Sequence, residues 1–383
     1  MQQVVEKVFF ALLRFEINGT QLCDVKKLIT PDILPDLFKL SKSHDLVHLI
    51  GNALDKNGLL IENSKAKQYF LQERNIAILR YEQQRYELER IKELFEKERI
   101  AFIPLKGSIV REYYPEPWMR TSCDIDILIE EKDFKRAVLV LTERLKFTAE
   151  EKKDYHDLSL YSESGVHIEL HYSLCENIGN IDKVLSRAWE YAIEYEGKTE
   201  RKLQDEFFAF YIVAHMLYHF QHGGCGVRPL LDLWLLKKYF SFGEQFDDML
   251  IKSKIKTFYK AMFELSECWF GQGQFNEKTI LIQDYLLNAG VYGTKQNSEL
   301  ADTIKSGNKK KRLIRYIFLP YENMVILYPV LKKAKILLPF FHVWRWITRL
   351  FRIKKAVKHT KSIVKQDQSE IDKMRELFNI LEI

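Results

Sequence analysis

Two hydrophobic periods alternate along this chain, and the points where one replaces the other divide it into regions. Up to about residue 98 apolar positions recur at helical spacing. Phe9, Leu12, Leu13 and Phe15 mark one segment, and Leu34, Leu37 and Leu40 a second. His44 to Leu54 form a third, opened by Ser43 or a neighbouring cap. The longest predicted helix runs from about Ser64 to Glu98, with Tyr69, Phe70, Ile76, Leu79, Leu88, Ile91, Leu94 and Phe95 set among charged residues.

The period changes at Ile100. Ala101 to Leu105 reads as a short strand. Lys106-Gly107-Ser108 then turns into a helix-like run, Ile109 to Tyr114, stopped by Pro115 and Pro117. A strand at 123–130 follows, then a helix from about Lys132 to Leu145. Phe147–Lys152, Asp157–Tyr161 and Val166–His171 read as further strands, the last with His167, Glu169 and His171 on one face. From about Ile181 the helical period returns, in segments near 182–190, 203–220, 228–239, 244–272 and 277–289. The glycines of Gln221 to Gly226 suit a sharp turn between two of them. The expected class is α+β: a small mixed β-sheet core flanked by N-terminal and C-terminal helical regions. The expected divisions are 1–98, 99–180, 181–300 and 301–383.

Composition changes this picture little. The chain has 383 residues, 46% hydrophobic and 29% charged, as expected of a folded globular protein. Its five cysteines are odd in number and widely spaced, so neither a zinc site nor a disulfide framework is expected. Glu6 and Glu16 interrupt the first apolar run, which therefore reads as an amphipathic helix and not a signal peptide. The expected compartment is the cytoplasm. Charge is more informative. The formal net charge is +6, yet residues from Lys305 onward hold 19 Lys or Arg against 6 Asp or Glu, leaving about −7 for the rest. The basic character belongs to the tail.

The chemistry concentrates in Thr121 to Ile129. Along a strand Asp124 and Asp126 point to one side, about 7 Å apart at Cα, and Ile125, Ile127 and Ile129 to the other. Two carboxylates on one face are costly unless something positive joins them, and a divalent cation carrying nucleotide phosphates fits that need. Gly107 and Ser108 let backbone N–H groups approach a phosphate. Lys106 and Arg120 flank the site as phosphate ligands. Glu169 on the later strand completes a metal site or takes the proton of an attacking hydroxyl.

Leu105-Lys106-Gly107-Ser108, Tyr114-Pro115 and Arg120 to Ile129 resemble the signature of the nucleotidyltransferase superfamily that includes DNA polymerase beta. The nearest resemblance is to its branch of uncharacterised nucleotidyltransferases. Gly107-Ser108 matches the first superfamily element, Asp124 and Asp126 the second, and Ile168-Glu169-Leu170 the third. The resemblance implies that the three acids bind catalytic Mg²⁺ or Mn²⁺ and that the Gly-Ser turn cradles the phosphates of an NTP, ATP first among them. It further implies a later histidine, His215 or His219, together with Arg228 and Asp232. The implied reaction is transfer of an NMP to a hydroxyl-bearing acceptor with release of pyrophosphate. That acceptor is a small molecule such as an aminoglycoside or sugar, a protein side chain or a nucleic-acid end. The alternative is a catalytically degenerate nucleotide-binding or scaffold protein.

Other readings of these residues stand beside that one. His167, Glu169 and His171 splay by roughly 7 Å per step along one strand, too far to close a zinc tetrahedron. His215, His219 and His222 follow i, i+4, i+7 on one helix face, and Arg228 with Asp232 forms either an intrahelical pair or a phosphate-binding arginine held by an aspartate. The basic tail, Leu313 to Lys365, interleaves aromatic and aliphatic residues with Lys and Arg in runs too short to span a bilayer. Packing on the core, contact with an anionic membrane surface and RNA binding compete there.

Overall fold

The computed structural model describes residues 2–23, 25–150, 157–195, 197–350, 360 and 363–383. They form two compact units, residues 1–219 with 225–291, and residues 220–224 with 292–383. The far end of the expected Phe147–Lys152 strand and the stretch 351–359 of the basic tail lie outside the described residues.

The first unit opens with four helices: α1 (Gln2–Asn18), α2 (Leu34–Ser43), α3 (Val47–Lys56) and α4 (Lys65–Lys97). Ser64 caps α4, its side chain accepting from the Lys67 N–H at 3.2 Å. Ser43 does not open α3. Its hydroxyl donates to Leu40 O at 2.7 Å at the end of α2, and Asp45 makes the turn with φ of 56°. Along α4 the helical stripe is only partly buried. Phe70, Ile91, Leu94 and Phe95 are covered, while Tyr69, Ile76 and Leu79 face solvent and the polar Gln84 and Glu87 turn inward.

Next come β1 (Phe102–Pro104), the single turn α5 (Gly107–Val110), β2 (Asp124–Ile129), α6 (Glu131–Arg144), β3 (Thr148–Ala149), β4 (Asp157–Tyr161) and β5 (His167–His171). They form a five-stranded mixed sheet ordered β1-β2-β5-β4-β3. The central pair β2–β5 is parallel, with Asp124 beside His167, Asp126 beside Glu169 and Leu128 beside His171; the other pairings are antiparallel. A parallel pair needs a crossover, and α6 with β3 and β4 provides it. The two-residue period sorts the faces. Ile125, Ile127, Ile129, Ile168 and Leu170 join a core closed by Ile91, Leu94 and Phe95 of α4 and by Phe134, Ala137 and Leu141 of α6. The acids and histidines take the other face.

Residues beyond 171 are less uniformly helical than their periodicity suggests. After α7 (Asn180–Leu185), a small antiparallel pair forms between β6 (Ala192–Glu194) and β7 (Arg201–Leu203). Then follow α8 (Asp205–Gln221), α9 (Arg228–Tyr239), α10 (Glu244–Lys252), α11 (Lys256–Phe270) and α12 (Glu277–Ala289). The single helix expected over 244–272 is two, because Lys254 adopts φ of 59° between them. Helix α8 is apolar nearly all round and almost wholly buried, with Phe207, Phe208, Phe210, Val213 and Met216 at most 2% exposed. At the head of α9, Gly226 has φ of 67°, and a Cβ there would come 2.8 Å from Val291 Cα and 2.9 Å from His44 Nδ1, so no other residue fits.

The second unit contains α13 (Lys295–Lys305), α14 (Lys309–Ile317), α15 (Tyr321–Leu327), α16 (Leu338–Leu350) and α17 (Gln368–Leu381).

Candidate active site

The parallel β2–β5 register is what gathers the acids. Ligand atoms of Asp124, His167 and Glu169 lie within 4.8 Å of one another, as do those of Asp126, Glu169 and His171. Each group adds one β2 carboxylate to two neighbouring β5 side chains, whose ligand atoms converge although the strand was expected to splay them: His171 Nε2 lies 3.6 Å from Glu169 Oε2. Glu169 belongs to both groups and is the shared vertex.

Charge is unevenly shared. Asp126 is 2% exposed and accepts from Lys106 Nζ and pairs with His171 Nε2, both at 2.9 Å on Oδ1. Burial disfavours its charge, but Lys106 and His171 overcome that and hold it far below the usual carboxylate range. Lys106 answers in kind. Burial works against its ammonium, and Asp126, Tyr211, Glu169 and Asp124 together keep it well above the ordinary lysine value. Glu169 gains little from this exchange. Burial and the charge of Asp126 push it up to about 8. Burial and Asp126 also raise Asp124, whose Oδ1 accepts from Ser122 Oγ at 3.1 Å. The face therefore carries more negative charge than its own cation balances. A hard divalent cation suits that donor set of carboxylate oxygens and imidazoles, and Asp124, Asp126 and Glu169 are the residues to hold it.

The Gly107 turn is built by close packing. Lys106 takes φ of 43°, a conformation an L side chain rarely adopts, and thereby aims its ammonium at Asp126. A Cβ on Gly107 would meet Ser122 Cβ at 3.0 Å, so the turn and the chain entering β2 approach closely and a side chain there would force Ser122 to shift. Ser108 N–H donates to Leu105 O at 3.1 Å and is thus engaged within the turn. Gln84 of α4 ties the pieces together. Its amide donates to Ser122 O at 3.0 Å and accepts from Arg111 Nη2 at 2.9 Å, while Arg111 Nε donates to Gly107 O at 2.8 Å. Burial and the neighbouring Arg120 push Arg111 down to about 10.

Arg120, expected to flank the site as a phosphate ligand, makes a bidentate contact with a protein carboxylate. Its Nε and Nη2 donate to Asp232 at 2.8–3.0 Å, and Tyr114 OH donates to Asp232 Oδ1 at 2.7 Å. Arg228 turns away from Asp232 and donates to Asp45 Oδ2 at 2.7 Å, the same oxygen that accepts from Thr121 Oγ1 at 2.8 Å. The intrahelical Arg228–Asp232 pair does not form. Instead both residues of α9 reach the segment leading into β2, one through Arg120 and one through Asp45.

On α8, His215 pairs through Nδ1 with Glu176 Oε1 at 2.7 Å and through Nε2 with His219 Nε2 at 3.0 Å. Burial, then the charge of Lys106, hold His215 well below the ordinary histidine value. Tyr211, one turn earlier, is raised far above the ordinary phenol by burial, against the pull of Lys106. His222 lies beyond the end of α8 and does not continue the stripe. Burial pushes the Cys225 thiol up to about 12, which leaves it protonated and unreactive.

Sequence reading overlooked Asp45, Gln84, Arg111, Glu176 and Tyr211, and took Tyr114 only as part of the signature. Of the overlooked residues only Gln84 left a trace, as a polar residue on the inward stripe of a long helix.

A comparison with curated proteins finds no match. Among solved structures, the solution structure of the antibiotic-resistance factor ANT(2'')-Ia is similar at 12% identity and a TM-score of 0.32, over 46% of this chain and 92% of its own. The sequence matches the family described as uncharacterised nucleotidyltransferase over residues 34–271, which include α2 through α11 and every site residue named above. The chain belongs to that family of nucleotidyltransferases.

Proposed function

We propose that the first unit transfers an NMP from an NTP, ATP first among candidates, to a hydroxyl-bearing acceptor in the cytoplasm, releasing pyrophosphate with Mg²⁺ or Mn²⁺. The observation that carries this reading is the juxtaposition of Asp124, Asp126 and Glu169 across β2 and β5. A bound divalent cation supplies charge to the triphosphate and to the departing pyrophosphate. The chain's own groups do the rest. Glu169, in its ionised form, completes the metal site or takes the acceptor's hydroxyl proton. The acceptor oxygen forms its bond to the α-phosphorus as the bond to the pyrophosphate oxygen breaks. Lys106, already engaged with Asp126 and Tyr211, turns a remaining donor to a phosphate oxygen. Gly107 and Ser108 keep the turn small enough for a phosphate to approach. Arg120, Arg228 and Asp232 position the entry to β2, and His219 with His215 borders the acceptor.

The test is incubation with each radiolabelled NTP, Mg²⁺ and a cell extract, with pyrophosphate measured alongside. Asp124→Asn is the cleaner probe, because Asp124 is not the partner of Lys106; it is expected to lower transfer at least a hundredfold with an unchanged unfolding midpoint. Mg²⁺-dependent labelling that survives in Asp124→Asn overturns the assignment. Mg²⁺-dependent ATP binding with no pyrophosphate from any extract would replace it with a nucleotide-binding role.

A further inference from the structure

Helix α16 of the second unit is built inside out. Its Arg345 is 2% exposed and donates to the backbone oxygens of Tyr316 and Ile317, each at 3.0 Å. Its apolar stripe faces the other way. Phe340, Val343, Trp344 and Ile347 follow i, i+3, i+4, i+7 and are 61, 49, 49 and 47% exposed. A globular helix ordinarily buries such a stripe. Just before it, Ile336 is 88% exposed among the exposed Lys332, Lys333 and Lys335.

We propose that this stripe and its flanking lysines dock the protein on the surface of an anionic lipid bilayer. Charge selects the occupant. From Lys305 to Leu350 the sequence holds 11 Lys or Arg and one acid, Glu322. A second copy of the chain would set that density of positive charge against itself, whereas an anionic headgroup layer neutralises it. The side chains suit the depth as well as the charge. Tryptophan and phenylalanine settle at the headgroup boundary, and an amphipathic helix lying there sinks its apolar face by roughly 5–10 Å. Among the described residues no helix is long and apolar enough to cross a membrane, and α16 with its 13 residues lies on the surface. Valine and isoleucine in the stripe offer no stacking surface to an RNA base.

The full chain is mixed with vesicles of phosphatidylcholine alone, and with vesicles that also contain phosphatidylglycerol. Sedimentation with the anionic vesicles only is expected, weakening as salt rises. Replacing Lys332, Lys333 and Lys335 by Gln lowers partitioning roughly fivefold per charge, about a hundredfold in all. The variant Phe340→Ser, Trp344→Ser, Ile347→Ser loses vesicle binding with an unchanged circular dichroism spectrum. In the unmodified chain, lipids brominated in their acyl chains quench tryptophan fluorescence, and Trp344→Phe reduces that quenching. Equal binding to both vesicle types, or undiminished binding by the apolar variant, overturns the proposal. So does a dimer that the apolar variant dissolves, or capture of RNA without capture of vesicles.

Discussion

Arg120 and Arg345 are both withdrawn from solvent, and they are held in opposite ways. Arg120 lies in the unit that carries the acids and meets a carboxylate, Asp232, through two parallel hydrogen bonds. Arg345 lies in the basic unit and donates to backbone oxygens, those of Tyr316 and Ile317. Around Arg120 the apolar side chains are inside and the carboxylate of Asp232 stands beside the guanidinium. Around Arg345 the arginine is inside and the apolar stripe outside. The first arrangement is a folded core shaped around a polar face. The second is a surface still short of an apolar environment.

The largest effect that separates the two comes from Asp232→Asn, which leaves the Arg120 guanidinium buried without its charge partner. Loss of about 3–5 kcal/mol of stability is expected by denaturant titration. The double variant Arg120→Met, Asp232→Leu should recover most of it, because neither charge then remains to be desolvated. A loss in Asp232→Asn no greater than in Arg345→Met would erase the distinction.

Acid supplies the next test, through a buried group whose main influence is burial itself. His44, packed under Gly226, is pushed down to about 4 by desolvation, the Leu287 backbone offsetting part of the shift. Between about pH 6.5 and 4 the unfolded chain therefore binds more protons than the folded one. Stability is complete above pH 6.5 and falls as the solution is acidified toward pH 4, by about 3 kcal/mol in total. His44→Gln should flatten that part of the stability profile; an unchanged slope would show that His44 is not its source.

The smallest effect is expected at Arg345→Met. It removes charge-assisted hydrogen bonds to carbonyls and costs about 1–3 kcal/mol. Unfolding of the second unit, followed by a fluorophore placed there, is the measurement. A loss above that of Asp232→Asn would mean that the backbone cage, and not the ion pair, is the stronger anchor.

Much of the site was legible because strand periodicity is local. Asp124 and Asp126 had to share a face, and Ile125, Ile127 and Ile129 had to share the other. Glu169 was legible as a strand acid between apolar neighbours. That it would stand beside Asp126 was not, since a parallel pair forms across a crossover of many residues and its register leaves no mark in the sequence. The break at Lys254 had no glycine or proline to announce it, and the short β6–β7 pair was hidden in a largely helical stretch. Arg228 and Asp232 show the same limit in side chains. Their i, i+4 spacing suggested a local pair, but Asp45 and Arg120, more than a hundred residues away, are their partners.

By itself the sequence determined the α+β class, the acidic strand, the small Gly107 turn and the segregation of basic charge to the end of the chain. Each follows from interactions among near neighbours, where side-chain period and backbone preference act directly. Only the tertiary structure decided which charges meet. Burial turned Lys106 into the partner of Asp126, drove Glu169 up to about 8 and set Arg345 inside α16 with its apolar stripe outside. Those outcomes depend on desolvation and on distances across the fold, and neither exists until the chain has packed.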